Sequence, residues 1–260
     1  MPTPKIITYF ILSVLICACT NKETIRVGAT TTLEDSGLLT ELITAFEKQH
    51  DIQIKPIIAG SGQIHALIKN NDIDSAITHD PKGEETLLKA GLINQRIPLM
   101  YNDFIIVGPN NDPAHIKLSL TPDEALEKIV NSGLIFVSRD DQSGTHQMEK
   151  HWWSKISTVP PTELYVKTGT GMGATLTVAA EKNAYTLTDR GTWLNFSNKQ
   201  SIKVLFEDAE YLPNQYSVLS FSENKASAWE NWITSDQTKQ FITNYRIDNK
   251  PVFFDAPMNQ

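Results

Sequence analysis

Leu164-Tyr165-Val166-Lys167-Thr168-Gly169-Thr170-Gly171-Met172-Gly173-Ala174-Thr175-Leu176-Thr177-Val178-Ala179-Ala180-Glu181, followed shortly by Tyr185-Thr186-Leu187-Thr188-Asp189-Arg190-Gly191-Thr192, decides the fold class. Residues 164–166 read as a short buried strand. A turn of Thr and Gly follows, then small and apolar residues predict a helix over 173–181, and 185–187 returns to strand. A strand, a helix and a second strand joined this tightly form the unit from which parallel sheets with helical faces are built.

The same alternation extends in both directions. Ile25, Val27 and Ala29 alternate as a strand, and Leu38, Leu39, Leu42, Ile43 and Phe46 recur at helical spacing. Strands are predicted over 52–58, 74–78, 100–107, 134–137, 202–206 and 216–221. Helices are predicted over 62–69, 84–90, 145–155, 226–233 and 237–245. A further helix, beginning at Thr121-Pro122-Asp123-Glu124 and stopping at Gly133, opens with a capping box. No repeat, heptad or low-complexity tract interrupts the pattern.

Five strand ends carry small hydroxyl residues or glycine where a helix begins. They are Thr30-Thr31-Thr32, Gly60-Ser61-Gly62, the run from Ser138 to Thr145, the run from Thr168 to Thr175, and the run from Thr188 to Thr192. Ligands of open α/β sheets sit at such strand ends. Helix N-termini there offer free N–H groups and a partial positive charge. One turn of this kind reads as plain capping; five in one chain, two with Arg, point to an anion cage. Hydrogen bonds to a charged group contribute about 1.5–3 kcal/mol each, so roughly seven or eight offset the desolvation of a small dianion.

Composition fits this reading. The 260 residues are 40% apolar and 20% charged, enough for a packed core, and the formal charge of −7 argues against nucleic acid as a partner. No Gly-x-Ser-x-Gly elbow, His-Glu-x-x-His pair or phosphate-loop Lys appears, so the chain reads as a binder rather than an enzyme, with no cofactor. His50, His65, His79, His115, His146 and His151 show no metal-ligand spacing. Trp152, Trp153 and Met148 read as core, and Arg190 as a structural partner of Asp189.

Longer blocks carry a resemblance. Thr30-Thr31-Thr32 with Ser36-Gly37-Leu38-Leu39, Gly60-Ser61-Gly62-Gln63, and the run from Met100 to Pro109 with Asp112-Pro113 resemble the tungstate-binding proteins of bacterial ABC importers, the TupA type. So do Ser138-Arg139-Asp140-Asp141 with Ser143-Gly144-Thr145-His146, and the two later turns. The resemblance covers about residues 26–221. It implies an α/β fold of the two-lobed, hinged periplasmic-binding-protein kind (type II), each lobe a mostly parallel sheet flanked by helices. Lobe 1 is expected over 24–103 plus 207–260 and lobe 2 over 104–206.

The resemblance also implies that a tetrahedral oxyanion is clamped between the lobes by Thr31, Thr32, Ser61, Arg139, Ser143, Thr145 and the backbone of Gly171, Met172 and Gly173. Thr168 and Thr188 stand as secondary candidates. The bland alternatives are a surface ion pair of Arg139 with Asp140 or Asp141, and a purely capping Ser61. One departure is Leu33, where the family usually has Ser. Tungstate is the expected ligand. Molybdate, phosphate or sulfate, or a role as an oxyanion-sensing surface receptor, are the alternatives. The implied partner is an ABC permease, and the receptor itself is expected to be a monomer.

The N-terminus sets the address. Lys5 precedes a short apolar run over 6–16, then Cys17-Ala18-Cys19 and polar Thr20-Asn21-Lys22. A small residue before a cysteine there resembles a bacterial lipoprotein signal, with 1–18 removed and Cys19 lipidated. An uncleaved anchor or a buried strand is the other reading. The expected location is therefore extracytoplasmic, or periplasmic, at a membrane surface. Both cysteines lie in this segment, so the body has no disulfide and no Cys-ligated zinc.

Overall fold

Ile25, Val27 and Ala29 point to one side of β1 (Glu23–Thr30) and are fully buried, as their alternation requires. α1 (Thr31–Asp35) follows without a loop, and α2 (Leu38–Gln49) buries Leu38, Leu39, Leu42 and Phe46 against the same core. β2 (Ile52–Ala59), α3 (Ser61–Lys69), β3 (Ser75–Thr78) and α4 (Pro81–Lys89) complete the first half. The computed structural model describes residues 22–255 apart from 159, 209, 222 and 223; the expected leader and Cys19 lie outside the described residues.

β4 (Gln95–Pro109) is the spine of the molecule. Beyond it come α5 (Pro122–Asn131), β5 (Phe136–Ser138), α6 (Gly144–Trp153), β6 (Tyr165–Lys167), α7 (Met172–Lys182), β7 (Thr186–Asp189), α8 (Arg190–Asn195) and β8 (Ile202–Glu207). The chain then returns through β9 (Pro213–Ser220), α9 (Ser227–Ile233), α10 (Asp236–Thr243), β10 (Arg246–Ile247), β11 (Lys250–Pro251) and β12 (Phe254–Asp255). No helix among the described residues is long and apolar enough to cross a membrane.

The alternation produces parallel pairs between β1 and β2, β1 and β3, and β5 and β6. β4 runs antiparallel to its partners and changes them along its length. Gln95 to Asp103 pair with β9, Phe104 to Val107 with β7, and Ile105 to Pro109 with β8. One continuous strand thus serves the sheets of both lobes, and the mixed sheet curls around it. A separate apolar cluster, with Phe104, Ile106, Ile129, Phe136, Tyr185 and Leu205, fills the second half.

Details differ from the sequence expectation, and the sheets are mixed rather than mostly parallel, because β4 pairs antiparallel with β7, β8, β9 and β12, and β3 pairs antiparallel with β9. α1 was not anticipated, because five residues give no helical period. α4 starts at Pro81 rather than at 84, since Asp80 Oδ1 accepts from the Gly83 N–H at 3.2 Å and caps it, a contribution of about 1 kcal/mol. β4 begins five residues before the expected 100, because β9 pairs with its first half as well.

Candidate functional site

The strand ends named above converge. The N-cap residues of α3 and α7 are Gly60 and Gly171, which have no side chain with which to cap, so neither helix is capped by its own N-cap residue. Arg139 Nη2 donates to Thr31 Oγ1 at 3.0 Å, which ties the loop after β5 to the start of α1. A Cβ built on Gly171 would lie 3.8 Å from Thr31 Cβ, and one on Gly60 would lie 3.7 Å from Ser143 Cα. Turns from four separate strands therefore meet at one place between the halves.

The donors left over at that place define the site. Ser61 Oγ, Arg139 Nη1 and Thr145 Oγ1 are buried and have no partner among the described residues. Other buried side-chain atoms, Ser217 Oγ and Trp229 Nε1 among them, also lack partners; what distinguishes these three is that they are donors on turns that meet, which makes the place a candidate to receive an acceptor. Ser143 Oγ accepts from the His146 N–H at 3.2 Å and still has its own proton to give. Arg139 is only 1% exposed, which removes the surface reading. Its Nε (3.1 Å) and Nη2 (2.5 Å) both donate to Asp141 Oδ2, while Asp141 Oδ1 accepts from the Ser143 N–H. Burial alone would raise the Asp141 carboxyl, but Arg139 and Ser143 outweigh it and hold it below its usual range. The guanidinium is thus locally neutralised and oriented, with one edge free.

The two halves close on each other around α1. The Gly173 N–H donates to Asp35 Oδ2 at 3.2 Å, and Asn195 Nδ2 to the Asp35 carbonyl at 2.8 Å. Burial pushes the Asp35 carboxyl up, with the Gly173 N–H and Arg139 pulling against it. Gly144 lies against His79, where a Cβ would sit 2.5 Å from Nδ1 and 2.6 Å from the backbone oxygen, so only glycine lets α6 seat there.

This geometry has known relatives. The family model described as the PBP superfamily domain matches residues 19–243. The chain belongs to that superfamily. Within it, the chain is of the TupA type. It is 37% identical over 234 residues to "Tungstate-binding protein TupA" of Peptoclostridium acidaminophilum, covering 86% of this chain and 82% of the relative. The solved tungstate-binding protein TupA from Desulfovibrio alaskensis G20 is 35% identical with a TM-score of 0.75, over 90% of this chain and 99% of that one. A solved structure from Geobacter sulfurreducens, described as its tungstate ABC transporter, is 35% identical with a TM-score of 0.77, over 86% and 99%. The two-lobed periplasmic-binding-protein fold expected from the sequence is the fold observed.

In this PBP-superfamily chain the expected residues divide into groups. Thr31, Ser61, Arg139, Ser143, Thr145 and Gly171 come together as described. Met172 opens α7 with its side chain buried in the core that also holds Leu33. Leu33 therefore supplies apolar packing between the halves and no donor. Thr32 turns away: its Oγ1 accepts from Tyr216 Oη at 3.1 Å and contacts His79 Nε2 at 3.1 Å and Thr30 Oγ1 at 3.2 Å. The Gly173 N–H is committed to Asp35. Thr168 Oγ1 donates to the Ser138 carbonyl at 3.1 Å, so it fastens one turn to the next.

The fifth turn is different in kind. Asp189 is fully buried, and its Oδ2 accepts from the Thr192 N–H at 2.8 Å, so α8 is capped by the protein's own carboxylate. Burial pushes that carboxyl up to about 6. Thr188 Oγ1 donates to the Asp189 carbonyl at 3.2 Å. Arg190 does not pair with Asp189, as the sequence suggested. It donates from Nε and Nη2 to Asp103 and from Nη2 to Glu207, at 2.5–2.6 Å. The strand crossing brings Asp103 beside Arg190, and no spacing in the sequence signals it. Sequence reasoning also missed Asp35 and His79, which act only through the tertiary contact of the halves.

Proposed function

We propose that this chain is an extracytoplasmic solute-binding protein that captures tungstate between its lobes and delivers it to an ABC importer. The observation that carries the reading is the set of three buried donors without a partner among the described residues, Ser61 Oγ, Arg139 Nη1 and Thr145 Oγ1, beside two helices whose N-cap residues are glycines. Such a site wants an acceptor on every face. Tungstate, molybdate and sulfate carry no proton at neutral pH, whereas phosphate carries one and needs an acceptor in return. Both oxygens of Asp141 are already occupied by Arg139 and Ser143. The chemistry therefore favours a fully deprotonated oxyanion, and relatives named for tungstate favour that one. The reading is of a stoichiometric binder, not an enzyme.

The proposed contacts are Thr31, Ser61, Arg139, Ser143, Thr145 and the N-terminal backbone of α7 at Gly171 and Met172. Lobe 1 spans 24–103 plus 207–260 and lobe 2 spans 104–206; the change of partner along β4 at Asp103 and Phe104 supports that division. Closure around the anion, of the kind the Thr31–Arg139 contact represents, would present the docking form to a permease. The sequence pattern before Cys19 supports a lipid anchor and monomeric display at the membrane. Calorimetric titration with tungstate, molybdate, sulfate and phosphate tests the reading. One-to-one binding of tungstate, with sulfate and phosphate much weaker, is the expected result. No heat with any of them, or a preference for phosphate, would overturn it.

A further inference from the structure

Glu149 lies on α6, one turn beyond Thr145, and is 3% exposed. It is held entirely by donors. Ser138 Oγ donates to its Oε2 at 2.8 Å, Trp153 Nε1 to its Oε1 at 3.0 Å, and Tyr165 Oη to the same Oε1. Ser138 is the last residue of β5, and its Oγ also accepts from the Asp140 N–H at 3.2 Å. A chain of two hydrogen bonds thus runs from a buried carboxylate to the backbone beside Arg139.

That backbone needs holding. Asp140 and Gln142 have φ of +47° and +62°, in the left-handed region that costs side-chain-bearing residues about 1 kcal/mol or more each. An ionised Glu149 accepts only, so Ser138 must give its proton to Glu149 and turn its lone pairs to Asp140. A protonated Glu149 meets three donors and must offer its proton to one of the hydroxyls. If Ser138 takes it, the Ser138 proton needs another acceptor and the bond to Asp140 loses its alignment.

We propose that Glu149 is a positioning residue for the oxyanion site: its ionised carboxylate, acting through Ser138, holds the Arg139 loop in the left-handed geometry that aims Nη1 at the ligand, and its protonation loosens that loop. The inference rests on the oxyanion-capture reading above.

The surroundings set the direction. Burial pushes the Glu149 carboxyl up to about 7, with Tyr165, Ser138 and Trp153 pulling it down and Asp140 adding to the rise. Tyr165 from β6 and Asp140 from the loop are the titratable groups that face it. Asp140 in turn pairs with His146 at 3.5 Å and Lys167 at 3.4 Å. The remaining wall is apolar, with Phe136, Leu126 and Leu187. Because its folded value is raised, protonation of Glu149 favours the folded state as pH falls through about 7. Its effects on stability and on binding therefore have opposite signs. Protonation of His146 or Asp189 would instead strengthen anion binding as pH falls, because either makes the site more positive.

The test is tungstate titration of the full chain between about pH 5.5 and about pH 8.5, with melting temperature measured alongside. Wild type should bind roughly three- to tenfold more weakly at the acid end. Glu149→Gln should bind at the acid-end level throughout, with no pH step and no fall in melting temperature at the alkaline end. Ser138→Ala, which leaves the carboxylate with Trp153 and Tyr165, should also lose the step, and it decides the matter if Glu149→Gln does not fold. A step that survives in either variant, or wild-type affinity that is flat or rises with acid, overturns the proposal while leaving oxyanion capture intact. No tungstate binding by wild type at any pH removes both.

Discussion

The loop after β5 and the turn after β7 look alike in sequence and do opposite work. Each follows a strand with a hydroxyl residue and carries one arginine beside aspartate, two after β5 and one after β7. Arg139 spends its Nε and Nη2 on one carboxylate and one threonine and keeps Nη1 buried and unpartnered. Arg190 is shared between two carboxylates, Asp103 and Glu207, where β4 crosses between the sheets. At α8 the Thr192 N–H is taken by the N-cap side chain of Asp189, whereas the N-caps of α3 and α7 are glycines that accept nothing, and at α7 only the Gly173 N–H is taken, by Asp35. What separates the turn proposed to bind the ligand from the structural one is the donors left over after the protein has satisfied itself.

That contrast can be broken most forcefully at Arg139. Arg139→Ala should weaken tungstate binding on the order of a hundredfold, the usual scale for losing a buried charge-assisted bond. Calorimetry giving less than about threefold would make the two arginines equivalent after all. Removing the single hydroxyls sharpens the comparison. Ser61→Ala and Thr145→Val should each reduce affinity by roughly tenfold. Both should leave the unliganded melting temperature unchanged or slightly raised, because each deletes a buried group that has no partner among the described residues. A drop in stability without a loss of affinity would place those hydroxyls in the scaffold. The smallest effect on binding is expected at Arg190. Arg190→Ala should leave affinity within about twofold while lowering stability by about 1–3 kcal/mol, because Asp103 is left buried without its partner. Thermal unfolding read beside calorimetry separates the two outcomes.

Much of the fold was legible because its signals are local. The alternation of Ile25, Val27 and Ala29, the spacing of Leu38, Leu42 and Phe46, and the Thr121 cap each act within a few residues, and each element formed where expected. The candidate site was legible as a set of turns, and the turns that carry Thr31, Ser61, Arg139, Ser143 and Thr145 do meet. Thr32 and Thr188 were not separable from them, since a threonine after a strand reads the same whether its hydroxyl faces a ligand or Tyr216. Asp141 as the partner that orients Arg139 was visible only as one of two neighbouring aspartates.

The sequence alone determined the alternating α/β pattern, the strand ends rich in hydroxyls and glycine, and the absence of cysteine from the body, because these follow from composition and short-range spacing. The tertiary structure alone decided which donors remain free. Whether Arg139 or Arg190 keeps an unpaired edge depends on where β4 carries Asp103 and how α1 meets α7. Those contacts join residues as many as 138 positions apart, and long-range packing, not local propensity, sets them.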